Sequence, residues 1–433
     1  MHILIAGADG FIGSALAQAL LAHGHQPTLA VRDTQRAAKR FPGQRVVAVD
    51  FATDHSPETW RPRLQGIDAV VNTVGIFRET GAQTFGAIHV RAPVALFEAC
   101  VEAGVRRVVQ ISALGAAADA PTEFLRSKHA ADTALSTLPL SSVVVRPSLV
   151  FARAGASARL FLQLAALPLI PIPGNGAQCV QPIHLGDLVT ALVALIEAEA
   201  PPPLLAAVGP EPLTLRDYLA QLRRAAGLGR ARFLPIPRRI MDTVASVGDR
   251  LRTNLVDREA LTMLAQGNCA DAQAVMRVLG HPPRGAADFI ATDEAASLCT
   301  ALQLRWLLPL LRFSLALVWI VTGIVSLGVY PVSGSLDLLA RVGLHGGFAL
   351  ASLYVAAALD LALGIATLVM QRRQWLYVLQ AIVILGYTAI ITLWLPEYWR
   401  HPYGPVLKNL PLLAALWLLH VLDREQNVRE GSR

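Results

Sequence analysis

The sequence predicts two architectures in one chain: a doubly wound parallel α/β sheet with a small cap region over residues 1–295, and a four-helix transmembrane bundle over 305–423. Three observations predict this. A short apolar run, Ile3 to Ile5, leads into Gly7-Ala8-Asp9-Gly10-Phe11-Ile12-Gly13 and is followed by Leu16, Ala19 and Leu20 at helical spacing. Strand-like and helix-like segments then alternate, as crossover connections between parallel strands require. Finally, 54% of the chain's 433 residues are hydrophobic and only 16% charged, and the apolar excess is concentrated between residues 307 and 422. That is more than an ordinary soluble domain carries.

The first element is strand, tight glycine turn, helix. Gly7 permits the sharp turn, Gly10 lets the backbone approach a pyrophosphate on the positive helix end, and Gly13 lets the helix pack closely on the sheet. With Phe11 and Ile12 these glycines form the first candidate cofactor contacts of a Rossmann-type site. A second strand, 26–31, ends at Arg32-Asp33, with Arg36, Lys39 and Arg40 following. An NAD site usually has an acidic residue here to hold the ribose hydroxyls, whereas Arg32 offers a guanidinium fork to a 2'-phosphate. NADP(H) is therefore favoured, and Asp33 keeps NAD(H) as the alternative. Strand 45–49 leads to Asp50, placed to reach an adenine amino group, and strand 67–71 ends in Asn72-Thr73-Val74-Gly75. A helix over 84–103 precedes strand 107–111, which ends at Ser112, and strand 143–145 ends at Arg146-Pro147. These ends fall on the carboxyl edge, where open parallel sheets hold their ligands.

With these residues placed, the first 295 or so positions resemble the extended and atypical short-chain dehydrogenase/reductases, in the NAD(P)-binding branch that also includes an accessory subunit of respiratory complex I. The resemblance rests on Gly7, Gly10, Gly13, Asp50, Asn72 to Gly75, Ser112, Lys128, Arg146-Pro147 and the stretch Pro182 to Leu188. It implies that Ser112 orients substrate and that Lys128 holds the nicotinamide ribose and lowers the pKa of a tyrosine four residues earlier. This chain has Phe124 there. Phenylalanine has no oxygen with which to protonate a developing alkoxide. Three solutions remain open: another acid from Ser127, His129 or His184, a reaction that needs no such acid, or loss of catalysis. The candidate catalytic residues are thus Ser112, Lys128 and His184; no metal site is expected.

Asp187 is expected to cap or buttress a helix beginning at Leu188, and Thr214 to cap the next. The arginine-rich stretch 223–252, with Arg238, Arg239, Arg250 and Arg252 among Phe233, Ile240, Met241 and Val244, suits anionic headgroups, an acidic substrate path or simply a basic surface. Cys100, Cys179, Cys269 and Cys299 stand far apart, without paired or metal-ligand spacing, which suits a reducing compartment. No secretory signal is read before the first strand. The net charge of +7 is scattered rather than gathered into a nucleic-acid-binding patch.

After a join at 292–304, apolar stretches at 307–329, 348–369, 375–395 and 406–421 approach the length of a membrane-crossing helix, with tryptophans and tyrosines near their ends. Arg305, Arg312, Arg372, Arg373, Arg424, Arg429 and Arg433 fall on one side, against Arg341, Arg400 and Lys408 on the other. The richer side reads as cytoplasmic, which places the nucleotide domain and the C-terminus inside a bacterial inner membrane. The stretch Pro396 to Pro405 and Lys408 to Pro411 resembles the DoxX-like family of small four-helix bacterial proteins. That resemblance implies quinone-linked or thiol redox chemistry. Asp360 falls within the second apolar stretch, where a carboxylate is costly unless paired, protonated or facing a cavity. The expectation is a membrane-anchored NADP(H)-binding oxidoreductase that passes hydride to a lipophilic acceptor such as a quinone or prenyl compound. The alternative is a noncatalytic sensor or assembly factor for a membrane redox complex.

Overall fold

The structure, a computed structural model, describes residues 1–237, 239–241, 243, 258–371 and 373–431. The chain divides into two compact units, Met1–Leu302 and Gln303–Arg433.

In the first unit, β1 (His2–Ala6), β2 (Gln26–Val31), β3 (Arg45–Ala48), β4 (Ala69–Asn72), β5 (Arg107–Ile111) and β6 (Ser141–Pro147) join the strand Leu204–Ala207 in one sheet. From edge to edge the order is Leu204–Ala207, β6, β5, β4, β1, β2, β3, and every pairing is parallel. Both faces are covered, which is why the strands read as continuous apolar runs. From β1, Ile3 and Ile5 pack with Leu16, Leu20, Leu188 and Leu192, while Leu4 and Ala6 pack with Trp60, Leu96 and Phe97 on the other face. Each such aliphatic side chain, once fully buried, contributes roughly 1.5–3 kcal/mol. The chain winds outward from β1 through β2 to β3 and then returns to β4 on the other side of β1. That reversal opens a crevice at the carboxyl ends of β1 and β4, the position at which such sheets take ligands.

Outside the sheet, three expectations change. The helix expected at Leu188 begins at Leu185 and runs to Glu197, with His184 as its cap. Asp187 is committed elsewhere: its carboxylate accepts from the Arg284 backbone N–H at 2.8 Å and from the guanidinium at 2.9 and 2.8 Å. Cys179 and Cys269 form a disulfide across 90 residues, so the spacing argument for unpaired cysteines fails. Their approach depends on tertiary structure, since the Asn268 N–H donates to the Cys179 carbonyl at 2.8 Å. Thr214 does cap the helix Leu215–Ala225, accepting from the Asp217 N–H. Of the arginine-rich stretch, Arg238, Val244, Arg250 and Arg252 lie outside the described residues, as does Arg372, while Arg223 donates to the carbonyls of Ala165 and Leu167.

Among the described residues, three helices are long and apolar enough to cross a membrane: Thr292–Val329, Gly346–Val369 and Gln374–Trp394. The expected join at 292–304 is therefore helical, continuous with the first span. A fourth helix, Asn409–Gly431, has the shorter apolar portion Asn409–Asp423, and an additional helix, Val332–Arg341, separates the first two spans. A Cβ on Gly323 would lie 2.9 Å from the Ala357 carbonyl, and one on Gly364 would lie 2.9 Å from the Ala316 carbonyl. Small residues thus let the first and second spans cross backbone to backbone, as helices in lipid tend to do.

Candidate functional site

The glycine turn is built at the end of β1. Gly7 has φ +78°, the left-handed region, and its carbonyl accepts from the Gly10 N–H at 2.9 Å and the Thr73 hydroxyl at 3.2 Å. A Cβ on Gly13 would fall 2.2 Å from that carbonyl oxygen. The helix Phe11–Ala22 starts at Gly10 with no side-chain cap, so its first N–H groups face the crevice, and Gly10 itself is exposed. This is a backbone cradle that Gly7 and Gly13 make possible, and it fits a pyrophosphate. Phe11 and Ile12 are half-buried at the first turn, with the Phe11 ring against Gly155.

Two charged candidates stand at the neighbouring strand ends. Arg32 is exposed just beyond β2, while Asp33 accepts from the Arg36 N–H at 2.9 Å and so caps the helix Thr34–Arg40. Asp50 is half-buried and bends back on its own loop, accepting from the Ala52 N–H at 2.9 Å. Asn72 is fully buried. Its amide donates to Gln110 at 2.8 Å and accepts from the Val74 N–H at 3.1 Å, which fixes the path of the chain toward Gly75.

Lys128 lies on the helix Glu123–Ser136 and is 5% exposed. Its ammonium donates to the carbonyls of Ile111 and Val74 at 3.2 and 3.3 Å, and a Cβ on Gly75 would meet it at 3.1 Å. Burial lowers its pKa to about 8, with the nearby Asp132 carboxylate working in the opposite direction. One turn further on, Asp132 accepts from the Ser112 hydroxyl at 2.7 Å and from Arg146 at 3.0 and 3.2 Å. Burial raises its pKa, against the opposing pull of Ser112 and Arg146. Buried Ser112, Lys128 and Asp132 and half-buried Arg146 therefore form one polar cluster at the ends of β5 and β6. Asp132 was not among the sequence candidates, although its four-residue spacing from Lys128 on one helix face made it legible.

Beside that cluster, the position of the missing tyrosine is sealed by aromatic rings. Phe124 is 6% exposed and packs against Phe77, Phe85 and His89 at centroid distances of 5.0, 6.2 and 5.5 Å. Phe77 is 72% exposed, so one wall of this aromatic group faces solvent. His89 accepts from the Ile76 N–H at 3.0 Å through Nε2 and lies 2.8 Å from the Ser127 hydroxyl through Nδ1. Ser127 in turn donates to the Phe124 carbonyl at 2.8 Å. Burial, with the Lys128 charge adding to it, lowers the His89 pKa to about 2. A neutral His89 thus ties the loop carrying Gly75 and Phe77 to the lysine helix. His184 is separate from this cluster: Nδ1 accepts from the Gly186 N–H at 3.0 Å, and the ring lies near Phe151 and Phe289. Burial and the Arg284 charge lower its pKa.

Residues 7–159 match the NAD(P)H-binding family, and residues 316–417 match the DoxX-like family. The 3-diazoavenalumate denitrifying reductase of a Streptomyces species is 30% identical over 267 residues, covering 54% of this chain and 84% of that protein. The chain belongs to the short-chain dehydrogenase/reductase superfamily, with a DoxX-like membrane domain fused behind it. The NAD(P)-binding part is also 28% identical, over 202 residues, to the mitochondrial NADH dehydrogenase (ubiquinone) 1 alpha subcomplex subunit 9 of Arabidopsis thaliana. That match covers 44% of this chain and 49% of the subunit. Among solved structures, a nucleoside-diphosphate-sugar epimerase from Staphylococcus aureus aligns with a TM-score of 0.56 at 17% identity, covering 67% of this chain and 99% of the epimerase. That likeness is one of fold. The chain is therefore an NAD(P)-binding protein of oxidoreductase/epimerase type, and its DoxX-like domain and apolar helices make it a membrane protein.

Proposed function

We propose that this protein is a membrane-anchored, NADPH-dependent reductase that passes hydride to a lipid-soluble acceptor such as a quinone or prenyl compound. One observation carries the reading: a complete glycine cradle and a buried lysine stand beside an apolar aromatic wall where a phenol would otherwise be, in a chain that also carries membrane helices. The cofactor, when bound, supplies the hydride; a quinone completes its reduction by taking one further proton, which water can provide. Under this reading the Gly7–Gly13 turn and the helix end hold the pyrophosphate, with Phe11 and Ile12 in the first turn. Asp50 is assigned to the adenine side. Lys128 holds the nicotinamide ribose, Ser112 faces the acceptor, and Asp132 and Arg146 keep Ser112 and Lys128 in place. Asn72 and Gly75 shape the loop that lets Lys128 approach. Two relatives are named as reductases, and one of them, the ceramide reductase of Caulobacter vibrioides, is named for a lipid.

Phe124 and the likeness to a respiratory-complex subunit favour a second reading, in which the protein binds NADP(H) without consuming it and serves a membrane redox complex. Reconstituted full-length protein mixed with NADPH and a short-chain quinone separates the two, because only the first reading predicts loss of NADPH.

Arg32 is assigned to the 2'-phosphate, and the engagement of Asp33 as a helix cap supports that choice over NAD(H). Titration should show tighter binding of NADPH than NADH, and Arg32→Ala should erase most of the difference while sparing NADH. The lost charge-assisted contact is worth about 1.5–3 kcal/mol. Equal affinities in the unchanged protein would refute the assignment. We also place the nucleotide unit and the C-terminus on the cytoplasmic side of a bacterial inner membrane, because arginine is richer there. Reporter fusions after Arg373 and Arg433 should both report cytoplasm, and one near Gly334 the outer side; an outer signal at the C-terminus would reverse the assignment.

A further inference from the structure

We propose that Asp360 is a reversible proton-binding site within the bilayer, loaded from the membrane face that carries Pro396–Trp399. The proposal rests on the membrane unit alone and stands whether or not the nucleotide unit reduces a quinone.

The third span, Gln374–Trp394, carries Tyr377, Gln380, Tyr387, Thr388 and Thr392 at helical spacing, while Val378, Ile382, Leu385 and Leu393 are exposed as a lipid-facing surface. Its polar residues meet partners from the other helices. Toward the start of the span, Tyr377 donates to Asp423 at 2.9 Å, and Arg312 pairs with the same carboxylate. Trp319 donates to Gln380 at 3.0 Å, Gln380 donates to Thr367 at 2.7 Å, and Thr367 donates to the Leu363 carbonyl. Each of those side chains has a partner at 3.0 Å or closer. Asp360 does not: it is 4% exposed, and the Tyr387 hydroxyl reaches it only at 3.5 Å, the outer limit of a hydrogen bond.

An ionised carboxylate enclosed in hydrocarbon is costly unless something neutralises it. Among the described residues no cation pairs with Asp360, whereas Asp423 has Arg312 and Glu397 has Arg341. Among the described residues, no titratable group other than Tyr387 bonds or pairs with Asp360. Tyr354 is exposed on the same helix, Asp337 lies on Val332–Arg341, Lys408 is exposed before the fourth helix, and His420 bonds to the Gln374 carbonyl. A proton is the remaining neutralising partner. It joins a carboxylate oxygen from water on loading and returns to water on release, with no change in oxidation state.

The direction of access follows from the neighbours. Beyond Tyr387, Asn409 donates to Thr388 at 2.8 Å and Trp399 to Thr392 at 3.0 Å, a series of hydrogen-bonding side chains leading to the helix end. In the other direction Leu363 and Ile384 are buried apolar side chains. Asp360 and Thr367, seven residues apart on one helix, are separated by about 10 Å of rise. That layer divides the Asp360 site from the closely paired polar groups at the opposite end.

The test uses full-length protein in phosphatidylcholine vesicles and dicyclohexylcarbodiimide, an apolar reagent that captures protonated carboxyl groups, with the modified residue located by peptide mass spectrometry. Modification at Asp360 is expected, stronger at about pH 6 than at about pH 9 by roughly tenfold. It should vanish in Asp360→Asn and survive Tyr387→Phe. A water-soluble thiol reagent should modify Thr388→Cys but not Leu363→Cys. An Asp360 that stays unmodified in the unchanged protein, or is modified equally at both pH values, overturns the proton site. Equal reactivity of the two cysteine variants overturns the assigned direction of access.

Discussion

Gly13→Ala is expected to weaken the binding of NADPH and NADH together. The added Cβ would lie 2.2 Å from the Gly7 carbonyl oxygen, 2.9 Å from its carbon and 2.7 Å from the Thr73 hydroxyl. The first two are backbone atoms, and the oxygen already accepts from Gly10 and Thr73, so the strain cannot be relieved by turning a side chain. Either the helix Phe11–Ala22 moves off the sheet or the turn opens, and both displace the N–H groups that would face a pyrophosphate. Overpacking of this kind costs about 1–3 kcal/mol, a loss of roughly five- to 150-fold in affinity if it falls on the bound geometry. Calorimetric titration with each cofactor, alongside thermal unfolding, measures both consequences. Gly10→Asp offers a contrast: its Cβ has one near neighbour, the Gly7 carbonyl at 3.0 Å, so its damage to both cofactors should come mainly from charge facing a pyrophosphate. If Gly13→Ala binds both cofactors normally, the turn is not the cofactor cradle.

That cradle was readable because its chemistry is local: one strand, one turn and one helix start within thirteen residues. The sheet was readable for a related reason, since strands buried on both faces leave apolar runs whose ends can be found, as Ile3 to Ala6 shows. Four other features depend on chain segments far apart in sequence. His89 reaches Lys128's helix through Ser127, 38 residues away, and through the Phe124 ring, and no pattern around His89 announces either. The Cys179–Cys269 bond spans 90 residues and adjoins an isolated backbone bridge between Val180 and Asn268. Asn72 ends a strand at the ligand edge, and the partner of its amide is Gln110 on the adjacent strand, 38 residues away. Asp187, expected to cap or buttress its helix, is held by Arg284 from 97 residues on. Side chains at an element's end choose among local and distant partners, and sequence spacing reveals only the local ones.

Lys128→Ala is expected to lower kcat/KM for quinone-dependent NADPH oxidation by about a hundredfold, or roughly 2.7 kcal/mol. The substitution removes the ammonium assigned to the ribose and leaves the carbonyls of Val74 and Ile111 without their buried donor. Lys128→Met keeps much of the shape and separates charge from packing. In the unchanged protein the same charge sets a pH dependence. Burial disfavours the ammonium, so Lys128 loses its proton as the pH rises through about 8, and activity should fall over that range rather than near the ordinary lysine value. Phe124→Tyr is expected to change the rate by less than about tenfold, under roughly 1.4 kcal/mol. The new hydroxyl would enter a site walled by Phe77, Phe85 and a His89 whose Nε2 already accepts from Ile76, and an acceptor protonated from water has no need of it. A much larger gain from Phe124→Tyr would mean that the natural reaction lacks an acid and waits for one. NADPH that binds tightly yet is never consumed across a broad set of acceptors, in a protein that copurifies with a larger redox assembly, would replace the reductase reading with the sensor. The Lys128 and Arg32 variants would still affect binding in that case, so the cofactor site and the reaction can fail separately.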